Sequence, residues 1–179
     1  MSCDISLGRL EPCKTSRGGL KAVYFVNFGD ITDITFGTSG KSDVITGVNS
    51  LGLRPTAYRY DLKGNSTYEE TVNSDRNAGT TFFTQTLTLN LKKLSIKDHK
   101  ELKLLTWGRT NVIVEDNNGN FFLAGLMRGM EVTGGTISSG AALGDMSGYS
   151  LTLEGEEKTP ANFLDDTPAN TNFTVVAGT

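Results

Sequence analysis

The segment from Gly79 to Leu91, GTTFFTQTLTLNL, constrains the fold more than any other. Phe83, Gln85, Leu87, Leu89 and Leu91 alternate with Phe82, Thr84, Thr86, Thr88 and Asn90. A period of two sends successive side chains to opposite faces. The segment is therefore a strand with one apolar face and one threonine-rich face. An antiparallel sheet that rests one side on a core and leaves the other in water carries this pattern. Tyr149 to Leu153 repeats it. Tyr149, Leu151 and Leu153 point inward, and Ser150, Thr152 and then Glu154 form the polar face.

The other strand candidates are shorter. Leu20–Phe28 and Ile31–Phe36 are rich in β-branched and aromatic residues, and Val44–Val48 is weaker. Thr56–Leu62 and Ser66–Ser74 flank Gly64-Asn65 and predict a hairpin of mixed polarity on both faces. Such a hairpin projects from the body and is covered by a neighbouring subunit. Thr110–Glu115 and Asn120–Leu126 flank Asp116-Asn117-Asn118-Gly119, a hairpin signal in which both central positions of the turn can take positive φ. Met130–Ser138 is interrupted by Gly134-Gly135, which predicts a bend or bulge.

One helix is predicted, over residues 95–107. Ser95 is its N-cap, Asp98 lies in the first turn, and Gly108 stops it. Asp98, Leu102 and Leu105 fall on one stripe, which Leu104 widens. At 179 residues the chain is long enough for one domain with a real core. Its 21 glycines suit short strands joined by tight turns. The fold class is mainly β: an antiparallel β-sandwich or partly closed barrel with a flanking helix and a projecting hairpin. Residues 1–19 read as an N-terminal arm, 20–158 as the sandwich and 159–179 as an extended, loosely held tail.

Chemistry-bearing patterns are sparse. His99 is the single histidine and sits on the helix without a nucleophile in sequence reach. No nucleophile-elbow, zinc-protease or phosphate-loop motif occurs. The acidic pairs Glu69/Glu70, Glu115/Asp116, Glu156/Glu157 and Asp165/Asp166 are sequence neighbours, so on strands they point to opposite faces. Cys3 and Cys13 are the only cysteines, and free thiols are the expectation; one histidine cannot complete a zinc site with them. The expectation is a protein that is not an enzyme and needs neither cofactor nor metal. A net charge of −3 disfavours a grip on phosphates. Met1-Ser2-Cys3-Asp4 opens without a basic or apolar leader, which predicts a protein kept in the cytoplasm.

The run Gly144 to Leu164, with G-Y-S-L-T-L-E-G-E-E-K-T-P-A from Gly148, resembles the closing strand of tail tube proteins of long-tailed bacteriophages. Gly18–Tyr24 and Gly79–Phe83 are similar to virion proteins of phages of Bacteroidetes-like hosts. The resemblance implies a sandwich whose copies form rings, usually hexamers, that stack into a tube through which DNA is ejected. It implies homo-oligomers and other tail proteins as partners, DNA passing without specific binding, no membrane, and assembly in the host cytoplasm into the virion. The polar faces of Thr84, Thr86, Thr88 and Asn90, and of Ser150, Thr152 and Glu154, would line the lumen. Tyr58, Tyr60, Tyr68, Val72, Phe121 and Phe122, with the arm 1–19 and the tail 159–179, would contact neighbouring subunits. Rival expectations are a capsid decoration, connector-ring or tail completion protein, and a carbohydrate-binding β-sandwich using Trp107.

Overall fold

The structure is a computed structural model and describes residues 7–11, 13–38 and 40–178. Cys3 and part of the 1–19 arm lie outside the described residues. The elements in chain order are β1 (Leu20–Asn27), β2 (Asp33–Phe36), β3 (Ile45–Asn49), β4 (Thr56–Asp61), β5 (Thr67–Asp75) and β6 (Thr80–Lys92). Then come α1 (Ile96–Trp107), β7 (Thr110–Asp116), β8 (Phe121–Ala124), β9 (Glu131–Ser138), β10 (Gly148–Glu157), β11 (Asn162–Phe163) and β12 (Thr174–Val176). A six-stranded sheet has the order β11-β8-β7-β1-β4-β12, and a four-stranded sheet the order β5-β6-β10-β9. The small β2–β3 ladder forms a third sheet. Pairing between strands is antiparallel except for β12 on β4, and an isolated parallel bridge joins Ile45 to Leu164. The arrangement is sandwich-like, and among the described residues no sheet closes into a barrel.

The apolar faces of the two larger sheets make the main core. Leu87 and Leu89 of β6 and Tyr149, Leu151 and Leu153 of β10 pack with Val23 and Phe25 of β1 and Val112 and Val114 of β7. The six-stranded sheet is buried on its other face as well. There Ala22, Tyr24, Val26, Ile113 and Leu123 pack with Ile45 and Val48 of β3 and with Leu164 and Phe173. This double burial explains why β1 and β7 read as nearly continuous apolar runs rather than alternating ones.

Helix α1 fits its signals. The Ser95 hydroxyl accepts the Asp98 N–H at 3.1 Å, and Gly108 N–H closes the helix on Leu104 O at 3.0 Å. Leu102 and Leu105 enter the core beside Tyr60 of β4, while Asp98 and Leu104 stay in solvent. The predicted stripe therefore narrows to two leucines, because Asp98 serves the cap.

Three expectations are corrected. First, β4 and β5 do not form a hairpin: β4 pairs with β1, and β5 pairs with β6. Residues 62–66 carry the chain from one sheet to the other, with Leu62 in the core. The hairpin that reaches past its neighbours is β5–β6, because β10 ends opposite Phe83 while the hairpin continues to Asp75 and Thr80. Second, the described part of the tail, residues 159–178, is not loosely held. It supplies both edge strands of the six-stranded sheet, and Leu164, Thr171 and Phe173 are buried. The Asn172 side chain bonds Val48 O and Asn49 Oδ1, each at 2.8 Å. Third, in the Asp116–Gly119 turn only Gly119 takes positive φ, at 85°. The Asp116 carboxylate accepts the N–H groups of Asn118 and Asn120, both at 2.8 Å. A three-residue loop ending in a left-handed glycine results instead of a two-residue one.

The same Asp116 cluster holds the end of the arm. Asn117 Nδ2 donates to Gly18 O at 2.7 Å, and Arg17 and Asn118 exchange hydrogen bonds of 2.7 and 2.9 Å. Burial alone would raise the Asp116 pKa, but the bonds from Asn120 and Asn118 overcome it and hold the carboxyl below its ordinary value of 3.8.

Two outcomes follow. Phe173→Ala lowers unfolding stability by about 3–5 kcal/mol in chemical denaturation, because a buried ring is lost; a change below about 0.5 kcal/mol would mean the tail is not part of the core. The Asp116 contribution has a depressed folded pKa, so it is complete above 3.8 and is lost as pH falls through the lower folded value. Protection of the Arg17 and Asn117 amides, taken relative to their intrinsic exchange rates, should therefore fall in acid, and Asp116→Ala should remove that pH dependence.

Candidate assembly surfaces

The seven polar residues singled out in β6 and β10 share one face of the four-stranded sheet. Asn90 pairs with Ser150, Thr88 with Thr152 and Thr86 with Glu154, and Thr84 lies opposite Glu156. On the other side of β6, Thr67, Glu69 and Thr71 of β5 pair with Thr88, Thr86 and Thr84. The two predicted polar stripes are thus adjacent rows of one surface. Threonine suits it, since its branched side chain favours strands and its hydroxyl meets water. Glu69, Glu154 and Glu156 give the surface a negative charge. Lys92 stands on the same face at its rim, as the alternation from Asn90 places it.

The edges of this sheet are long. β5 runs for nine residues and β9 for eight, and neither pairs with a further strand. The edges of the six-stranded sheet are β11 and β12, with two and three residues. Short edge strands are one way to prevent unwanted pairing; long ones without Pro or Lys invite it. β9 contains neither Pro nor Lys, and glycines 134 and 135 thin it. Its register with β10 shifts between Val132 and Gly134, so the predicted bulge falls at Thr133. Glu131 stands directly across from Glu154, and Arg109 relieves the like-charge contact by binding Glu131 at 2.9 Å.

The six proposed contact residues divide. Tyr60 packs edge-on against Phe25 at 5.1 Å, and Tyr68 stacks on Phe122 at 6.2 Å. Phe122 also meets Phe163 at 4.6 Å, and Phe121 is buried beside Tyr24. These four hold the chain's own sheets together. They turn inward because β4 and β5 face each other across the core instead of projecting as a pair. Tyr58 and Val72 remain exposed. The Tyr68 hydroxyl donates to Glu70, and burial together with that carboxylate pushes its pKa upward. Burial and then the Glu115 hydrogen bond push Tyr24 to about 12.

A polar clamp went unrecognised in the sequence. Loop 125–129 turns through Gly125 and Gly129, with φ of 64° and 78°. Buried Gln85 accepts the Gly125 N–H at 2.8 Å. The buried Glu157 carboxylate accepts the N–H groups of Met127 and Arg128 at 2.9 and 2.8 Å, and Asn111 donates to Gly125 O. The signal was present: Gln85 and Glu157 occupy inward positions of otherwise apolar alternations. Buried Glu115 is likewise satisfied by Lys21 and the Tyr24 hydroxyl.

His99 is exposed, with its ring 6.2 Å from that of Tyr149. Trp107 stands in solvent under the Lys103 ammonium at 5.1 Å. Cys13 is an exposed free thiol. Among the described residues no group of three His, Cys, Asp or Glu side chains could hold a metal ion. No helix among them is long and apolar enough to cross a membrane. Comparison of the chain with protein-family models, curated proteins and solved structures finds no match.

Glu157→Ala should release the clamp. Two charge-assisted hydrogen bonds are lost, so stability falls by about 2–4 kcal/mol, and amide exchange accelerates at Met127 and Arg128. Unchanged protection of those two amides would show that the loop is held by its glycine packing instead.

Proposed function

We propose that this protein is a non-enzymatic subunit that assembles with copies of itself into stacked rings, as a tail tube protein of a long-tailed phage does. The polar face of the four-stranded sheet would line the channel for DNA. The observation that carries the proposal is the combination of that face with two long, unpaired edges. Four antiparallel strands leave edge strands that run in opposite directions. A copy rotated about a ring axis then brings its β9 alongside the next copy's β5, and the antiparallel ladder continues across the joint.

The dimensions are suitable. About six copies would place about 24 strands around the ring. At a spacing of ~4.8 Å this gives a circumference of about 115 Å and a diameter near ~37 Å, which strand tilt enlarges. The threonine and carboxylate lining would offer phosphates few cations. DNA would pass without adhering, since binding strength grows with each cationic contact. The exposed positions of Tyr58 and Val72 are available to neighbouring copies, and the β5–β6 hairpin tip takes over the projecting role first given to β4–β5.

Negative-stain electron microscopy of the concentrated protein tests the proposal. Rings or hollow tubes are the expected image, and a uniform field of monomers would contradict it. Thr136→Lys in β9 places a charged gatekeeper on the joint. It should leave the circular dichroism spectrum unchanged and abolish the rings. Rings that form normally in this variant would exclude β9 as the joint.

A further inference from the structure

The turn after β3 is built against the preferences of its own residues. Ser50 N–H donates to Leu53 O at 2.8 Å, and Leu53 N–H donates to Ser50 O at 2.7 Å. Between them Leu51 has φ of 46° and Gly52 has φ of 84°. A two-residue loop with both φ values positive favours Asn, Asp or Gly at its first position. Leucine is strained there. Its side chain is nevertheless 90% exposed, and that of Leu53 74% exposed. Leu51 thus serves neither its turn nor the core.

The tip is stiff without any help from the leucines. Leu51 N–H donates to Thr32 Oγ1 at 3.0 Å, Thr32 N–H to Asn49 O at 3.0 Å, and Asn172 braces Asn49. Two leucines are therefore held rigidly in water by polar contacts. Strain maintained by its surroundings at an exposed apolar point is the signature of a binding element.

A matching surface lies at the other end of the sandwich. The tip sits where β1 finishes, because it leads into β4, whose Ala57 pairs with Val26. At the opposite end β6 finishes and β10 begins. There Lys93 N–H donates to Ser147 O at 2.7 Å, which brings segment 93–96 beside segment 146–149. Leu94, Ile96, Leu143 and Met146 are all exposed at this end. The flanking charges are complementary. Asp30 and Asp33 border the tip, and Lys92 and Lys93 border the patch; none of these four has an ion-pair partner among the described residues. Arg54 is the cation next to the tip. Of the acids next to the patch, Asp98 receives the Ser95 hydroxyl and Asp145 is held by the N–H groups of Ala141 and Ala142.

We infer that the Leu51-Gly52-Leu53 tip is a knob that docks on the Leu94–Ile96–Leu143–Met146 patch of a second copy of this chain. The two elements lie on opposite ends of the molecule, so the contact is head-to-tail and repeats from copy to copy. The inference rests on the self-assembly proposed above. It adds an axial contact that is independent of the β5–β9 joint.

The test is Leu51→Asn in the full chain, read by sedimentation velocity and thermal melting. Asn-Gly is the preferred pair for this turn, so the variant should melt about 1–3 °C higher. It should also self-associate at least about tenfold more weakly, as the loss of a buried anchor does. Leu143→Ser should weaken association to a similar extent without the rise in melting temperature. The double variant should be no weaker than either single one. Normal assembly by Leu51→Asn, where the wild type assembles, overturns the knob and leaves the ring reading standing. A lower melting temperature for Leu51→Asn would mean that Leu51 supports its own fold, and that also overturns it. Normal assembly by Leu143→Ser overturns the patch. A wild-type chain that stays monomeric at every concentration overturns this inference and the ring reading together.

Discussion

The antiparallel pairing of β6 with β10 runs in one register from Lys92 opposite Gly148 to Phe83 opposite Glu157. That register sets Leu87 across from Leu153, Leu89 across from Leu151 and Leu91 across from Tyr149. It sets threonines, Asn90 and Ser150 against one another, or against Glu154 and Glu156, on the reverse face. A slip of one residue would move the leucines into water and the threonines into the core. The size of that penalty holds the register, and with it the polar surface. The two polar residues that β6 and β10 turn inward, Gln85 and Glu157, are satisfied by the backbone of loop 125–129, and the rest of their inner face is apolar or glycine.

The two large sheets have different freedoms. The six-stranded sheet is covered on both faces and ends in strands of two and three residues, so it has little left to offer a partner. The four-stranded sheet has one covered face, one polar face and two long edges. Unmet backbone groups on those edges are satisfied by water in a lone molecule and by another strand in an assembly. The proposed function follows from this asymmetry more than from any single residue. The negative charge of the polar face disfavours a tight grip on nucleic acid.

What the sequence made legible was local. The alternations of β6 and β10, the Ser95 cap with the Gly108 stop, and the reversal between β7 and β8, though not its turn type, each depend on residues close in the chain. The errors arose where distant partners decide. Gly64-Asn65 signals a reversal, but the same turn chemistry serves a hairpin and a passage between sheets; only the burial of Leu62, Tyr60 and Tyr68 distinguishes them. The tail is polar on average, so its hold through Leu164, Thr171 and Phe173 is invisible to composition. Phe121 and Phe122 were expected to contact neighbouring subunits. Both faces of β8 are in fact packed, by Tyr24 on one side and Tyr68 on the other. The unbroken apolar runs of β1 and β7 were the available hint that their sheet has no open face.

The central claim is that β5 and β9 are edges waiting for each other. Amide hydrogen exchange along both strands, followed as protein concentration rises, tests it most directly. The outward-facing amides of β5 and β9 should become protected together, over the same concentration range, while the already paired amides of β6 and β10 do not change. Exchange on β5 and β9 that stays fast at every concentration, or protection of one edge without the other, would contradict it.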